Sequence, residues 1–265
     1  MSSRETPAIV LSVRDYGEAD RLVTFLTPGR GRLSGVARHA RRSRKRFAHC
    51  LEPLSLVNFF LSDRGRGDLE FVEKGELVHS FPALRRDLSR LGVAALLAEL
   101  AGELASPPEG AAAIFAALET ALKMLEAGTP PEPVFPGFFL HLIKLGGYGL
   151  GLDRCKVCGA EPRAPLLFSL PQGAVYCGSC GQAAPGPFVS LSPGTWRLWQ
   201  RALALPLEKL PRLRLTAGQL GESLGLLRAF GRYHLGRDLK AWGFWDQVAK
   251  PGGTAPKTMV LKEDH

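Results

Sequence analysis

The sequence predicts an α+β multidomain chain: an N-terminal OB-fold β-barrel, then an α-helical domain interrupted by a four-cysteine insert. Three observations carry this. Five short runs rich in β-branched and aromatic residues lie in the first 80 residues, separated by Gly and Pro. From Leu84 the apolar spacing changes from the strand period to the helical one. Cys155, Cys158, Cys177 and Cys180 form C-x2-C-x18-C-x2-C, with a glycine directly after each pair.

The strand runs are Ala8 to Val13, Arg21 to Leu26, Arg32 to Ala37, Leu54 to Leu61, and Leu69 to Val78. Thr27-Pro28-Gly29-Arg30-Gly31 and Asp63-Arg64-Gly65-Arg66-Gly67 are turn strings between them. Five strands this close together suit a small antiparallel barrel of the OB type. Leu84, Leu88, Leu91, Ala95, Leu96, Glu99 and Leu100 fit a helix, Ala111 to Leu125 gives a second and Phe135 to Leu145 a third, with Pro107-Pro108 and the segment from Gly128 to Pro133 as breaks. After the cysteines, Ser192-Pro193 is an N-cap and first-turn pair opening a helix through Leu205, and Leu220 to Leu239 forms the last long one. Trp196, Trp199, Trp242, Phe244 and Trp245 read as core or interdomain packing. The expected division is 1–80 for the barrel, 81–154 for the first part of the helical domain, 155–190 for the metal-binding insert, 191–247 for the second helical part and 248–265 for a disordered tail.

A two-residue gap lets both thiolates of a pair reach one ion, and a glycine after the pair permits the positive φ that closes the knuckle, as expected at Gly159 and Gly181. Leu166-Leu167-Phe168 and Ala174-Val175-Tyr176 flank Ser169 to Gly173 as a hairpin would, so the insert reads as a zinc ribbon holding one structural zinc ion. Catalytic zinc keeps a position for water, whereas four thiolates fill the sphere. A zinc deaminase needs H-x-E with P-C-x-x-C, and neither string occurs. Cys50 has no partner in sequence and reads as a buried small residue, with a reactive thiol as the alternative.

Charge is distributed unevenly. Thirty-four Lys and Arg against 25 Asp and Glu give +9, with a pI near 9.6, which favours a polyanionic partner. Residues 1–46 carry +7, 47–154 carry −5 and 197–240 carry +6. Arg30, Arg32, Arg38, Arg41, Arg42, Arg44, Lys45 and Arg46 place eight cations within 17 residues, and no acid occurs between Asp20 and Glu52. At this density like charges repel one another unless an anion offsets them, so the run is a candidate phosphate-binding surface for single-stranded DNA; a solvated loop is the alternative. Phe47, Phe59 and Phe60 lie nearby as candidate stacking residues, although strand alternation sends about half of such residues to the core. No stretch of 18 apolar residues occurs, and Met1 to Thr6 is polar with no secretory-type apolar segment behind it, so a cytoplasmic protein without a membrane partner is expected.

Several strings resemble the RecO family of bacterial recombination mediators. They are Glu18-Ala19-Asp20-Arg21-Leu22-Val23 with Gly31-Arg32-Leu33, the Ala40-Arg41-Arg42 stretch, Leu51-Glu52-Pro53-Leu54, Phe138-Phe139-Leu140 with Leu145-Gly146-Gly147-Tyr148, Leu152-Asp153-Arg154-Cys155 with Cys158-Gly159, and Tyr233-His234-Leu235-Gly236-Arg237. His39 stands where the family usually has Gly. The resemblance, which runs from about Ile9 to Trp245, implies a non-enzymatic protein that binds single- and double-stranded DNA, anneals complementary strands, associates with RecR, and helps load recombinase on strands coated with single-strand-binding protein. The acidic tail of that last partner is expected on the basic helical surface around Arg228 and Arg232.

Other classes compete. A zinc-ribbon transcription regulator would read duplex sequence, and a nuclease would need carboxylates clustered around a hard cation, which Glu70, Glu73 and Glu76 do not supply at site-like spacing. No G-x-x-x-x-G-K-[ST] string is present, and Gly147 to Gly151 follows a helix as a C-cap and turn rather than a phosphate cradle.

Overall fold

The computed structural model describes residues 3–43, 45–66, 69–106, 108–182, 184 and 186–248. Arg44, and all but the first residue of the tail expected at 248–265, lie outside them. The chain divides into two compact units, Met1–Gly128 and Thr129–His265. The sequence-based division follows element type, with its first boundary at residue 80. The boundary between the compact units falls later because the first two helices pack with the barrel.

The first unit is built on strands β1 (Ser3–Tyr16), β2 (Asp20–Thr27), β3 (Gly31–Ala37), β4 (Leu56–Arg66) and β5 (Leu69–His79). They close in the order β1-β2-β3-β5-β4, with β1 pairing antiparallel to both β2 and β4 and with β3 parallel to β5. This is the OB-type barrel expected. Its interior is filled by alternating residues, among them Ala8, Val10, Val23, Phe25, Val57, Phe59, Leu61 and Val72, since successive side chains of a strand point to opposite faces. Phe25 meets Phe59 edge to face at 4.9 Å.

Because β3 pairs with β5, residues 38–55 must carry the chain from β3 to β4. They do so as a plug: Ala40, Phe47, Cys50, Leu51 and Leu54 are buried, and the first four join the barrel's core cluster. A 3₁₀ turn at Pro82–Arg86 leads to α1 (Leu88–Leu104), whose N-cap Asp87 accepts from the amides of Ser89 and Arg90 at 3.0 and 3.2 Å. The apolar spacing alone places the start of this helix at Leu84; the cap at Asp87 sets its true start. Helix α2 (Ala111–Glu126) follows, and both helices pack against β2 and β3.

The second unit opens with α3 (Pro131–Leu145). The prolines before Phe135 read in sequence as breaks, yet Pro131 occupies the first turn, where a missing N–H removes no helical hydrogen bond. The helix ends as expected of a C-cap: Gly147 has φ +85°, its amide donates to the Lys144 carbonyl at 3.2 Å, and the Tyr148 amide donates to the Ile143 carbonyl at 3.1 Å. Strands β6 (Leu166–Ser169) and β7 (Ala174–Cys177) form the anticipated hairpin, and β8 (Phe188–Leu191), which has no counterpart among the strands expected from sequence, pairs with β6. A short helix α4 (Gly178–Gln182) lies between β7 and β8.

Helix α5 (Pro193–Ala204) starts on Ser192, whose hydroxyl accepts from the Thr195 amide at 3.2 Å. Helix α6 (Ala217–Leu235) starts on a Thr216–Gln219 capping box, and α7 (Ala241–Val248) places Trp242 edge to face against Phe135 at 5.6 Å. The indoles of Trp196 and Trp199 donate to the Leu152 carbonyl at 2.7 Å and to the Ser223 hydroxyl at 3.0 Å. Gly151 is bonded on both sides to the ribbon hairpin, its amide to the Gly173 carbonyl and its carbonyl to the Val175 amide, each at 2.9 Å.

One close approach in the barrel is testable. A Cβ at Gly75 would lie 2.7 Å from Cys50 Sγ and 2.9 Å from the Phe59 ring. Gly75→Ala is therefore expected to lower stability by about 1–3 kcal/mol, read as a lower urea midpoint, and Cys50→Ala in the same chain should recover part of that loss.

Candidate nucleic-acid interface and metal centre

The connection that plugs the barrel also carries the basic run. Its backbone is held at several points. The His39 amide donates to Asp20 Oδ1 at 2.8 Å, the Arg41 amide to the Ala19 carbonyl at 3.1 Å, the Arg46 amide to Ser43 Oγ at 3.1 Å and the Gly75 amide to the Arg46 carbonyl at 2.8 Å. With the apolar residues inserted into the core, the intervening cations are left outside: Arg38, Arg41, Arg42, Lys45 and Arg46 are all exposed.

These cations are not equivalent. Arg30, on the β2–β3 turn, pairs with Glu70 at 2.5 Å, and Arg32 pairs with Glu103 at 2.6 Å. Arg41 lies 3.6 Å from Asp15 and donates to the Glu18 carbonyl at 3.1 Å. Arg46 donates to the carbonyls of Arg38 at 2.9 Å and Glu73 at 3.5 Å, with no carboxylate partner among the described residues, and Arg38 lies over the Phe71 ring at 5.4 Å. Arg42 and Lys45 have no ion pair or side-chain hydrogen bond among the described residues. Apart from Arg44, which lies outside the described residues, the run thus resolves into Arg30 and Arg32 with internal carboxylates, Arg41 beside Asp15, and an exposed group of Arg38, Arg42, Lys45 and Arg46.

Of the aromatics read as stacking candidates, Phe47 and Phe59 are buried core, and only Phe60 is half-exposed. Phe71, which the sequence does not single out, joins it; Phe71 pairs with Ser62, two residues from Phe60, and the buried pair Leu61–Val72 lies between them, so both rings stand on the outer face. Cys50 is fully buried, and burial pushes its thiol up to about 11, which fits the inert reading.

In the second unit the four ribbon cysteines converge, with all sulfurs within 4.8 Å of one another. Cys155 and Cys158 come from the loop before β6, Cys177 ends β7, and Cys180 lies in α4. A tetrahedron of metal–sulfur bonds of ~2.3 Å has an edge of about 3.8 Å, so the cluster fits one cation. Amide donors fix two sulfurs: Cys177 N–H to Cys155 Sγ and Arg163 N–H to Cys177 Sγ, both 3.4 Å. Burial would raise Cys155, but the surrounding amides of Cys158, Cys177 and Val157 outweigh it and hold the thiol down at about 6. Burial, then the neighbouring sulfurs, push Cys180 up to about 11. A cation would make the four a matched ligand set. The two knuckle glycines differ. Gly159 has φ +70° as expected, whereas Gly181 does not have a positive φ and lies in α4, where a Cβ would come within 2.6 Å of Leu167 Cδ1.

Arg228 departs from the sequence expectation of a free docking cation. It bridges Asp238 and Asp246, each at 3.0 Å, and lies over the Trp242 ring at 5.3 Å, because α7 brings Asp246 back beside α6. Arg232 is exposed without such a partner among the described residues. Arg197 and Arg201, one turn apart on α5, are exposed as well.

Fold and site together define an OB-barrel protein whose second, mainly helical unit carries a four-cysteine cluster able to hold a metal ion. Family models described as the Recombination protein O N terminal and C terminal match residues 1–81 and 85–243. Proteins named DNA repair protein RecO are similar over nearly the whole chain. The one from Anaeromyxobacter dehalogenans is 36% identical, over 94% of this chain and 98% of its own length. That from Myxococcus xanthus is 35% identical, over 94% of this chain and 99% of its own, and that from Syntrophus aciditrophicus 30% identical, over 95% and 98%. The chain belongs to the RecO family of DNA repair proteins.

His39 has φ 54°. A left-handed residue with a Cβ costs ~1–2 kcal/mol, and glycine's extra unfolded freedom costs ~0.5–1. His39→Gly is accordingly expected to raise stability by roughly 0.5–1 kcal/mol in urea unfolding, and His39→Val to lower it.

Proposed function

We propose that this chain is a DNA-binding recombination mediator. It binds single- and double-stranded DNA, anneals complementary strands, and helps load recombinase on strands coated with single-strand-binding protein, in repair by the RecF pathway. One observation supports this above the others: Arg38, Arg42, Lys45 and Arg46 stand exposed and, among the described residues, without carboxylate partners on a connection anchored into the barrel. Phosphates would supply the missing counter-charge. The pairs at Arg30, Arg32 and Arg41 are partly exposed, of a kind worth at most ~1 kcal/mol, so a phosphate could compete for those arginines.

The mechanism is electrostatic and consumes no nucleotide. The barrel cations hold one strand, and the exposed arginines of the second unit, Arg197 and Arg201 on α5, accept another. Screening of phosphate repulsion then lets complementary strands meet. No enzymatic step is assigned, and a cytoplasmic location with RecR as partner completes the reading. For the acidic tail of single-strand-binding protein, Arg232 is the available member of the expected pair, since Arg228 already holds two aspartates. Zinc, bound by Cys155, Cys158, Cys177 and Cys180, would supply a fixed tetrahedral crosslink between the knuckles and no reactive position.

Two outcomes test this. In a salt titration of oligonucleotide binding followed by fluorescence anisotropy, replacing Arg38, Arg42 and Lys45 together by Ala should flatten the log–log slope by about 2, at ~0.7 for each phosphate no longer neutralised; an unchanged slope rejects the surface. Purified protein should hold one zinc per chain by elemental analysis. A chelator at neutral pH should expose four further thiols to a thiol reagent and lower the melting temperature, because such sites contribute on the order of 10 kcal/mol to folding.

A further inference from the structure

OB barrels commonly hold oligonucleotides on the face of strands 2 and 3. In this chain α1 and α2 pack against β2 and β3, and the Arg32 amide and guanidinium are bound to Ala105 and Glu103 of the same region. The β4–β5 part of the barrel is different. There Phe60 of β4 and Phe71 of β5 are half-exposed in an open groove of about 520 Å³ also lined by Ser3, Arg46, Glu73 and Lys74.

The register explains how two rings share this face. Phe60 stands opposite Lys74 and Ser62 opposite Phe71, with an irregularity between Phe60 and Leu61 that leaves Glu73 without a strand partner. Had β5 continued without the extra residue, Phe71 and Lys74 would point to opposite sides, as a one-residue slip inverts the faces. Instead Val72 stays in the core, and Phe60, Phe71 and Lys74 all stand outward. Lys74 Nζ, which also pairs with Glu76 at 2.8 Å, lies 3.9 Å from the Phe60 ring centre, and Arg38 stands over Phe71. Arg46 closes one side of the groove, where its guanidinium reaches the Glu73 carbonyl.

Resting on the reading above, we infer that this outer β4–β5 face is a stacking platform for single-stranded DNA, on which bases lie against Phe60 and Phe71 while Arg38, Arg46 and Lys74 meet the adjoining phosphates. The occupant is a single strand because the rings need unpaired base faces and the rim is cationic; every base has such a face, so the platform is indifferent to sequence. It gives the chain a means of distinguishing a single strand from a duplex that phosphate contacts alone do not provide.

The test uses the full chain and two fluorescein-labelled probes of equal length, a dT oligomer and an abasic deoxyribose-phosphate oligomer. The native protein should bind dT at least about tenfold more tightly than the abasic chain, and Phe60→Leu with Phe71→Leu should remove that preference. The variant should keep the native affinity for the abasic oligomer and for duplex, and the native salt slope. Phe60→Trp should retain dT affinity and show indole quenching by dT but not by the abasic chain, which guards against loss of folding in the double variant. Equal native affinity for the two probes, or a double variant that still prefers dT, overturns the platform while leaving phosphate binding intact. Failure to bind either probe overturns the mediator reading as well.

Discussion

The parallel pairing of β3 with β5 is the constraint on which the N-terminal half depends. Two parallel neighbours cannot be joined by a tight turn, so the chain must leave β3 and travel to the far side of β5 before it can enter β4. Residues 38–55 make that passage, and a long passage without regular structure has to be fastened by its side chains. Ala40, Phe47, Cys50, Leu51 and Leu54 do the fastening from inside. The residues beside and between them cannot also point inward, and it is these positions that carry Arg38, Arg42, Lys45 and Arg46. Core packing and charge display are therefore two sides of one segment. The left-handed backbone at His39, His49 and Leu54 fits a chain whose path is dictated by where its apolar residues must insert.

This arrangement separates cations by what surrounds them. Arg30 and Arg32 lie in or beside the sheet, where neighbouring strands and α1 bring Glu70 and Glu103 within reach. The loop residues have mostly backbone carbonyls and aromatic faces nearby, neither of which cancels a full charge. A sequence count of eight positives treats them alike; the folded chain leaves Arg38, Arg42, Lys45 and Arg46 exposed and, among the described residues, without carboxylate partners. Arg228 shows the same effect in the other direction. In sequence it belongs to a basic lobe, but Asp238 and Asp246 come from beyond the end of α6 and fold back upon it.

Much of the fold is legible in the sequence because its signals are local. Strand alternation, the Ser192-Pro193 cap and the C-x-x-C pairs each depend on a few consecutive residues. The parts that are not legible depend on neighbours distant in sequence. β8 is a four-residue edge whose pairing with β6 has no local signature, and the start of α3 is obscured by prolines that a first helical turn accepts. Gly181 looks like a twin of Gly159, yet it has no positive φ and lies in α4 against Leu167 of β6. Phe71 carries no signal of its own because alternation within β5 does not say which face is outward, and Lys74 joins that face only through an irregular pairing between β4 and β5.

The two units also differ in how they hold a small structure together. The barrel has an apolar core that extends from strand to strand and into the plug, so disturbing a single packing position, as at Cys50 and Gly75, should weaken it by a bounded amount. The ribbon has a three-stranded sheet of four-residue strands, and its local cluster of Cys155, Ala174, Tyr176 and Cys177 is small. Burial on that scale cannot by itself fix two loops whose sulfurs repel once ionised. A bound cation reverses that repulsion into cohesion, while Gly151, bonded to both Gly173 and Val175, ties the hairpin to the segment that follows α3. Removal of the ion is therefore expected to affect the ribbon and the helices bound to it before it affects the barrel. On the proposed function, strand binding in the first unit should then outlast the melting of the second, an order of loss that separates a bracing metal from one that touches nucleic acid.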